Sequence, residues 1–269
     1  MSELLLLTID VGNTETVLGL FRGQDLVQHW RISTDVRKTP DELAHLLKHL
    51  LAEREITASP RGVIGSVVPA LDPIITRAFR RAFNSEPRLI NDPARLAGSE
   101  GPLPIRLDVD EPHTVGADRM LNTLAASQLY GVDTIAVDLG TATTFDCITG
   151  DGVFKGGVIA PGPRAGIEGL AHSASKLPFI DLVPPEIVVG RRTDDCLRSG
   201  CFYAIVDAID GMVRRIKEEW GRPGAMVLAT GGLAALIAPH CQTVDAVEPY
   251  LTLYGLAIAD RILGDAVIG

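Results

Sequence analysis

The 269-residue sequence predicts an α/β protein made of two related halves, each with a mixed sheet. Three observations lead there. Strand-like apolar runs alternate with helical patterns along the chain, each half opens with an antiparallel meander, and one strand-and-turn motif occurs twice. Thr8-Ile9-Asp10-Val11-Gly12-Asn13-Thr14 aligns with Ala136-Val137-Asp138-Leu139-Gly140-Thr141-Ala142. The offset of 128 residues is about half the chain, which marks a duplicated half-domain rather than a short solenoid repeat.

The first half opens with Leu4 to Asp10, a nearly continuous apolar run ending in a carboxylate, as expected of a buried strand. Val11-Gly12-Asn13-Thr14 has tight-turn composition, because Gly and Asn tolerate positive φ. Thr16 to Phe21 and Leu26 to Ile32 complete a three-stranded meander with the first strand central. Thr39, Pro40 and Glu42 supply an N-cap, a first-turn proline and a capping box. Leu43, Leu46, Leu47, Leu50 and Leu51 then recur at helical spacing on one face. Gly62 to Val68 reads as a strand, Leu71 to Phe83 as a helix and Pro87 to Ile90 as a short strand. The stretch Ala97 to Pro112 is rich in Gly, Pro and Asp, so the halves are drawn as 1–112 and 113–269.

In the second half a helix runs from Ala117 to Tyr130, closed by Gly131, and a strand from Thr134 to Leu139. Val153 to Ile159 is a strand, followed by a Pro161-Gly162-Pro163 break and a short helix near Ala165 to Ser175. Ser199 to Trp220 reads as a long helix, Ala225 to Ala229 as a strand entering Thr230-Gly231-Gly232, and Leu251 to Leu263 as a helix.

Composition removes several functions. Hydrophobic residues make up 46% of the chain, enough for a core without disulfide or metal staples. The formal net charge of −9 argues against non-specific binding to nucleic acid or anionic membranes, and no DNA-reading element or aromatic stacking platform is found. Cys147, Cys196, Cys201 and Cys241 form no CxxC pair, so free buried thiols in a reducing cytosol are expected. Met1-Ser2-Glu3 before a short leucine run is neither a signal peptide nor a membrane span, and a cytoplasmic protein is expected. His45 and His49 lack the intervening carboxylate of a metalloprotease helix and read as surface residues; Arg77, Arg80 and Arg81 read as a solvated basic face.

No GxxxxGK[ST] loop occurs, so any nucleotide is held without a P-loop. Asp-x-Gly at the end of a buried strand offers another solution. The glycine lets backbone N–H groups approach phosphate oxygens, Thr14 or Thr141 adds a hydroxyl, and the carboxylate can hold a cation that neutralises phosphate charge. One such turn is ordinarily a hairpin closure; two at half-chain spacing favour the phosphate reading. Thr230-Gly231-Gly232 reads either as an ordinary strand–helix turn, favoured by itself, or as a glycine surface against an adenine or ribose. Asp118 has two readings that spacing leaves open. It is an acid favoured by the helix dipole, or a general base for a substrate hydroxyl with Arg119 beside it.

Asp10-Val11-Gly12-Asn13-Thr14, Gly116-Ala117-Asp118-Arg119 and Asp138-Leu139-Gly140-Thr141-Ala142 together resemble the type III pantothenate kinases. Ser66-Val67-Val68-Pro69, Gly156-Gly157-Val158-Ile159-Ala160-Pro161-Gly162 and Thr230-Gly231-Gly232 follow in the family's order across nearly the whole chain. The resemblance implies two ribonuclease-H-like halves of the actin-like ATPase fold with nucleotide in a central cleft. It implies ATP-dependent phosphorylation of pantothenate to 4′-phosphopantothenate, the first step towards coenzyme A. It further implies that Asp10, Val11, Gly12, Asn13, Thr14, Glu15, Thr16 and Val17 form the first phosphate loop, with Asp10 near a divalent ion (Mg2+ with ATP). Thr141 would contact ATP, and Asp138 would bind a monovalent cation, potassium or ammonium. Gly116, Ala117, Asp118, Arg119 and Thr193 would contact pantothenate, with Asp118 as base. A homodimer is implied, and the long helix ending at Trp220 is expected to help build it. One departure is Val109, where many members carry tyrosine three residues before the proline matching Pro112. Two other classes stand as alternatives: a non-catalytic accessory factor for transcription, and a phosphohydrolase of the same superfold.

Overall fold

The computed structural model describes residues 5–98, 101–174 and 177–265. The chain forms two compact units, one of residues 1–128 with 251–269, the other of residues 129–250.

In the first unit, β1 (Leu5–Val11) lies at the centre of a five-stranded sheet ordered β3-β2-β1-β4-β5. β2 (Glu15–Arg22) and β3 (Asp25–Ser33) run antiparallel on one side, as the meander predicts. α1 (Pro40–Ala52) starts with the expected capping box, in which Thr39 accepts from the Glu42 amide and Glu42 accepts from the Thr39 amide. Leu43, Leu47 and Leu51 of α1 are buried against Leu7, Ile9, Leu18, Leu20 and Phe79, each contributing about 2 kcal/mol of apolar burial. β4 (Arg61–Ser66) and β5 (Arg88–Ile90) extend the sheet in parallel, with α2 (Asp72–Phe83) between them in sequence. α3 (Pro93–Leu96), β6 (Arg106–Leu107) and a 3-10 turn at Pro112–Thr114 lead to α4 (Ala117–Tyr130). Residues Met120 to Ser127 of α4 are buried without interruption, so this helix has no solvent face over two turns.

The second unit repeats the arrangement. β7 (Thr134–Leu139) is central, β8 (Ala142–Ile148) and β9 (Val153–Pro161) are antiparallel to one side, and β10 (Met226–Thr230) and β11 (Ala246–Val247) are parallel on the other. Its own strands thus run β9-β8-β7-β10-β11, the same order and sense as β3-β2-β1-β4-β5. Asp10 lies opposite Gly65 on its parallel neighbour, and Asp138 lies opposite Thr230 on its own. α5 (Ala165–Ser173) and the 28-residue α6 (Thr193–Trp220) follow β9, and α7 (Ala234–Ile237) follows β10. Phe202, Val206, Ile209 and Val213 of α6 pack on Ile135, Val137, Phe145 and Val227 of the sheet. Asp210 of α6, buried, accepts from the Gln242 and Thr243 amides and the Thr243 hydroxyl, which hold its carboxyl below the usual range against the cost of burial.

The last helix, α8 (Leu251–Asp265), belongs to the first unit. Thr252 donates to Asn122 of α4 at 2.9 Å, and buried Asp260 pairs with Arg61 and Arg88 at the start of β4 and β5.

The structure differs from the sequence reading in several places. α6 begins at Thr193, six residues before Ser199, and β9 continues to Pro161. The expected end of α5 at Ser175 lies outside the described residues. Within the first compact unit α8 packs on β1, β2 and β4. The four thiols are free but not buried: Cys196 is exposed and the others are half-buried. Burial, with Asp210 nearby, still pushes the Cys241 thiol up to about 11. His45 and His49 are exposed, as expected, while Arg80 and Arg81 pair with Glu86 and Asp41. Among the described residues no helix is long and apolar enough to cross a membrane.

Candidate active site

In the first unit the turn between β1 and β2 carries Asp10 to Val17. Asp10 is half-buried at the strand end, Gly12 donates to the Glu15 carbonyl at 3.1 Å, and Asn13, Thr14 and Glu15 are exposed. Glu15 pairs with Arg31 across the hairpin. The end of β3 braces this turn: the Thr34 amide donates to the Thr14 carbonyl at 2.9 Å and its hydroxyl donates to the Gly12 carbonyl at 2.8 Å. The Val67 amide donates to the Val11 carbonyl at 3.1 Å, tying the segment after β4 to the same turn.

Val67 also connects this turn to the start of α4. A Cβ placed on Gly116 would lie 3.6 Å from Val67 Cγ1. Gly116 is the N-cap residue, since its carbonyl accepts from the Met120 amide. Asp118 sits in the first turn, half-buried, with Oδ1 accepting from the Arg119 amide at 2.8 Å. Desolvation outweighs that bond and the Arg119 charge, and holds the Asp118 carboxyl above the usual carboxylate range. Gly116 makes room for it: a Cβ there would overlap Asp118 Oδ1.

In the second unit Asp138 occupies the position of Asp10, half-buried at the end of β7. Gly140 donates to the Ala142 carbonyl at 3.1 Å, so the turn closes as the first one does, although one residue tighter, with Thr141 exposed at its tip. Gly231 has φ +88°, and a Cβ there would overlap Asp138 Oδ1 and approach the Leu139 amide to 2.9 Å. The glycine of Thr230-Gly231-Gly232 therefore cradles Asp138, a role the sequence reading did not give it. Beyond the turn lies an apolar cavity of about 620 Å3, whose lining includes Thr143, Pro161, Gly162, Thr193, Cys201 and Met212. Thr193 opens α6 at its rim; the first-turn acids Asp194 and Asp195 follow it. Among the described residues no group of three or more His, Cys, Asp or Glu is arranged to hold a metal by itself.

Two units of one topology, each presenting an Asp-x-Gly turn at the end of its central strand, define an actin-like ATPase fold. Solved structures agree at the level of fold. A conserved protein described as a Baf-family transcriptional activator from Campylobacter jejuni superposes with TM-score 0.56 at 17% identity, covering 96% of this chain and 99% of that one. An N-acetylglucosamine kinase structure from Porphyromonas gingivalis gives TM-score 0.50 at 14% identity, covering 95% and 98%. Sequence comparison is more specific. A relative from Frankia alni named type III pantothenate kinase is 44% identical over 254 residues, 94% of this chain and 98% of its own length. One of the same name from Thermobifida fusca is 41% identical over 256 residues, 94% and 97% of the two chains. Residues 6–215 match the profile of the family described as type III pantothenate kinase, and the chain belongs to that family.

Proposed function

We propose that this protein transfers the γ-phosphoryl group of ATP to the primary hydroxyl of pantothenate, forming 4′-phosphopantothenate on the route to coenzyme A. The observation that carries this reading is Asp118, a carboxyl held above its usual range at the mouth of α4, joined through Val67 to the Asp10–Val17 turn. Pantothenate is held by Gly116, Ala117, Asp118 and Arg119, with Thr193 a further contact. As the hydroxyl oxygen attacks phosphorus, Asp118 accepts its proton and ADP leaves in line. Backbone amides of the Asp10–Val17 turn, with Thr141, hold the nucleotide phosphates. Asp10 would face the magnesium ion that accompanies ATP, which would supply charge neutralisation of the phosphates.

The residues around Asp138 fit a monovalent cation. A hard carboxylate oxygen faces a cradle that a single Cβ on Gly231 would fill. Asp138 would hold potassium or ammonium there, and the ion would supply positive charge for phosphoryl transfer. The homodimer rests on family likeness and on the apolar cavity along α6, a surface suited to a second copy of the chain. The cytoplasm, where ATP and pantothenate meet, is the compartment this reading implies. Val109 in place of tyrosine removes an aromatic contact from the pantothenate side and leaves the transfer residues intact.

The test is ADP release from magnesium–ATP with and without pantothenate. Pantothenate-dependent release supports the reading. Release indifferent to pantothenate assigns a phosphohydrolase or another acceptor, and no release from folded protein assigns a non-catalytic role.

A further inference from the structure

We propose that Thr34 is a positioning residue that sets the direction of the phosphate-binding amides in the Asp10–Val17 turn. The inference rests on the reading of that turn as a phosphate site. Thr34 lies just beyond β3 and makes three bonds to the turn and its flank. Its amide donates to the Thr14 carbonyl at 2.9 Å, its hydroxyl donates to the Gly12 carbonyl at 2.8 Å, and the same hydroxyl lies 2.9 Å from that of buried Thr16. The single hydroxyl proton of Thr34 is committed to Gly12, so Thr16 donates to Thr34 and the chain of bonds has one direction.

A trans peptide holds its C=O and N–H in one plane, pointing in opposite directions. Fixing the Gly12 carbonyl towards Thr34 therefore fixes the Asn13 N–H on the side away from Thr34. Without the hydroxyl, the Gly12–Asn13 peptide is free to flip, because glycine on its N-terminal side resists rotation least. A flipped peptide presents a carbonyl where a phosphate needs a donor.

The second unit shows that this brace is a specific addition rather than a property of the repeated fold. By strand register Ala142 is the counterpart of Glu15 and lies opposite Pro161, so Gly162, which carries no hydroxyl, stands where Thr34 stands in the first unit. The Gly140–Thr141 turn is instead packed against Gly162, where a Cβ would overlap the Thr141 carbonyl. Among the described residues the side-chain brace from Thr34 to the Gly12 carbonyl therefore has no equivalent at the second turn, because Gly162 has no side chain to donate. That difference is expected if the first turn must aim its amides at a group that changes charge during the reaction.

The experiment compares the wild-type enzyme, Thr34→Val, which removes the hydroxyl and keeps the shape, and Thr34→Ser, which keeps the hydroxyl. Steady-state KM is measured for ATP and for pantothenate, at a temperature where all three are folded by circular dichroism. In parallel, wild-type protein labelled with 15N-asparagine, which reports only four backbone amides, is titrated with ADP. ADP is expected to shift the Asn13 amide. Thr34→Val is expected to raise the ATP KM about fivefold, the size of one neutral hydrogen bond, with pantothenate KM little changed and Thr34→Ser near wild type. An unchanged ATP KM in Thr34→Val overturns the proposal, as does a Thr34→Ser variant no better than Thr34→Val. An Asn13 amide that ignores bound ADP in the wild type overturns the phosphate-turn reading itself and the proposal with it.

Discussion

Gly116→Ala isolates the placement of Asp118 from its chemistry. Gly116 does not occupy the left-handed region, so alanine is accepted by the backbone there, and as an N-cap it costs about 1 kcal/mol or less. The new Cβ, however, falls about 1 Å inside ordinary contact with Asp118 Oδ1. The neighbour is the far end of a side chain, so the carboxylate moves and the helix stays. A displacement of about 1 Å in a reacting group costs on the order of 100-fold in turnover. The assay is pantothenate-dependent ADP release, with ATP binding measured separately by calorimetry and folding by thermal melting. The expected result is kcat down about 100-fold, ATP affinity within about twofold of wild type, and a melting temperature lowered by only a few degrees. Turnover within about threefold of wild type, in a variant that folds, would falsify the claim that the bare Gly116 holds Asp118 in register.

Asp118→Asn should lower kcat by about 100- to 10,000-fold, the range for a general base, and near-normal turnover returns Asp118 to a helix-dipole role. Because burial raises the Asp118 carboxyl, the folded protein binds its proton more tightly than the unfolded chain does. The destabilisation from its charged form is absent at pH below the unfolded value and complete above the folded one. Asp118→Asn should therefore melt no lower than wild type at neutral pH; a clear drop in melting temperature there contradicts the desolvation argument. Replacing potassium by sodium should depress turnover of the wild type, and equal rates in the two salts remove the cation role of Asp138. Gly231→Ala should weaken potassium activation and the potassium-dependent rise in melting temperature, whereas Gly221→Ala, at φ +66° with nothing near an added Cβ, controls for backbone strain alone. If both alanines behave alike, the cradle around Asp138 has no function.

What the sequence discloses and what it hides follow from range. The capping box at Thr39, the leucine face of α1 and the bounds of α4 and β7 depend on neighbours within a few residues, and the structure keeps them as read. The start of α6 at Thr193 escaped because Arg192, the residue before it, makes no side-chain capping bond, while the first capping-like serine is Ser199 inside the helix. The turn residues of the site were legible because the duplication aligns Asp10 with Asp138. Their supports were not. Thr34 reaches Gly12 across 22 residues, and Gly231 meets Asp138 through the parallel pairing of β7 with β10. Neither partnership leaves a local pattern, and only strand register creates it.

The return of α8 to the first unit has a consequence for how the protein comes into being. Helix α4 finds its partner Thr252 only in a segment made well over 100 residues later. At a synthesis rate of roughly 10 residues per second, the first sheet waits on the order of ten seconds at the ribosome with one flank bare. During that interval the strands of the second unit emerge in order, the last of them, β11, just before α8 itself. The part that carries Asp10 and Asp118 is thus the first to be translated and the last to be finished, which makes it the part most exposed to chaperones and proteases in a nascent chain.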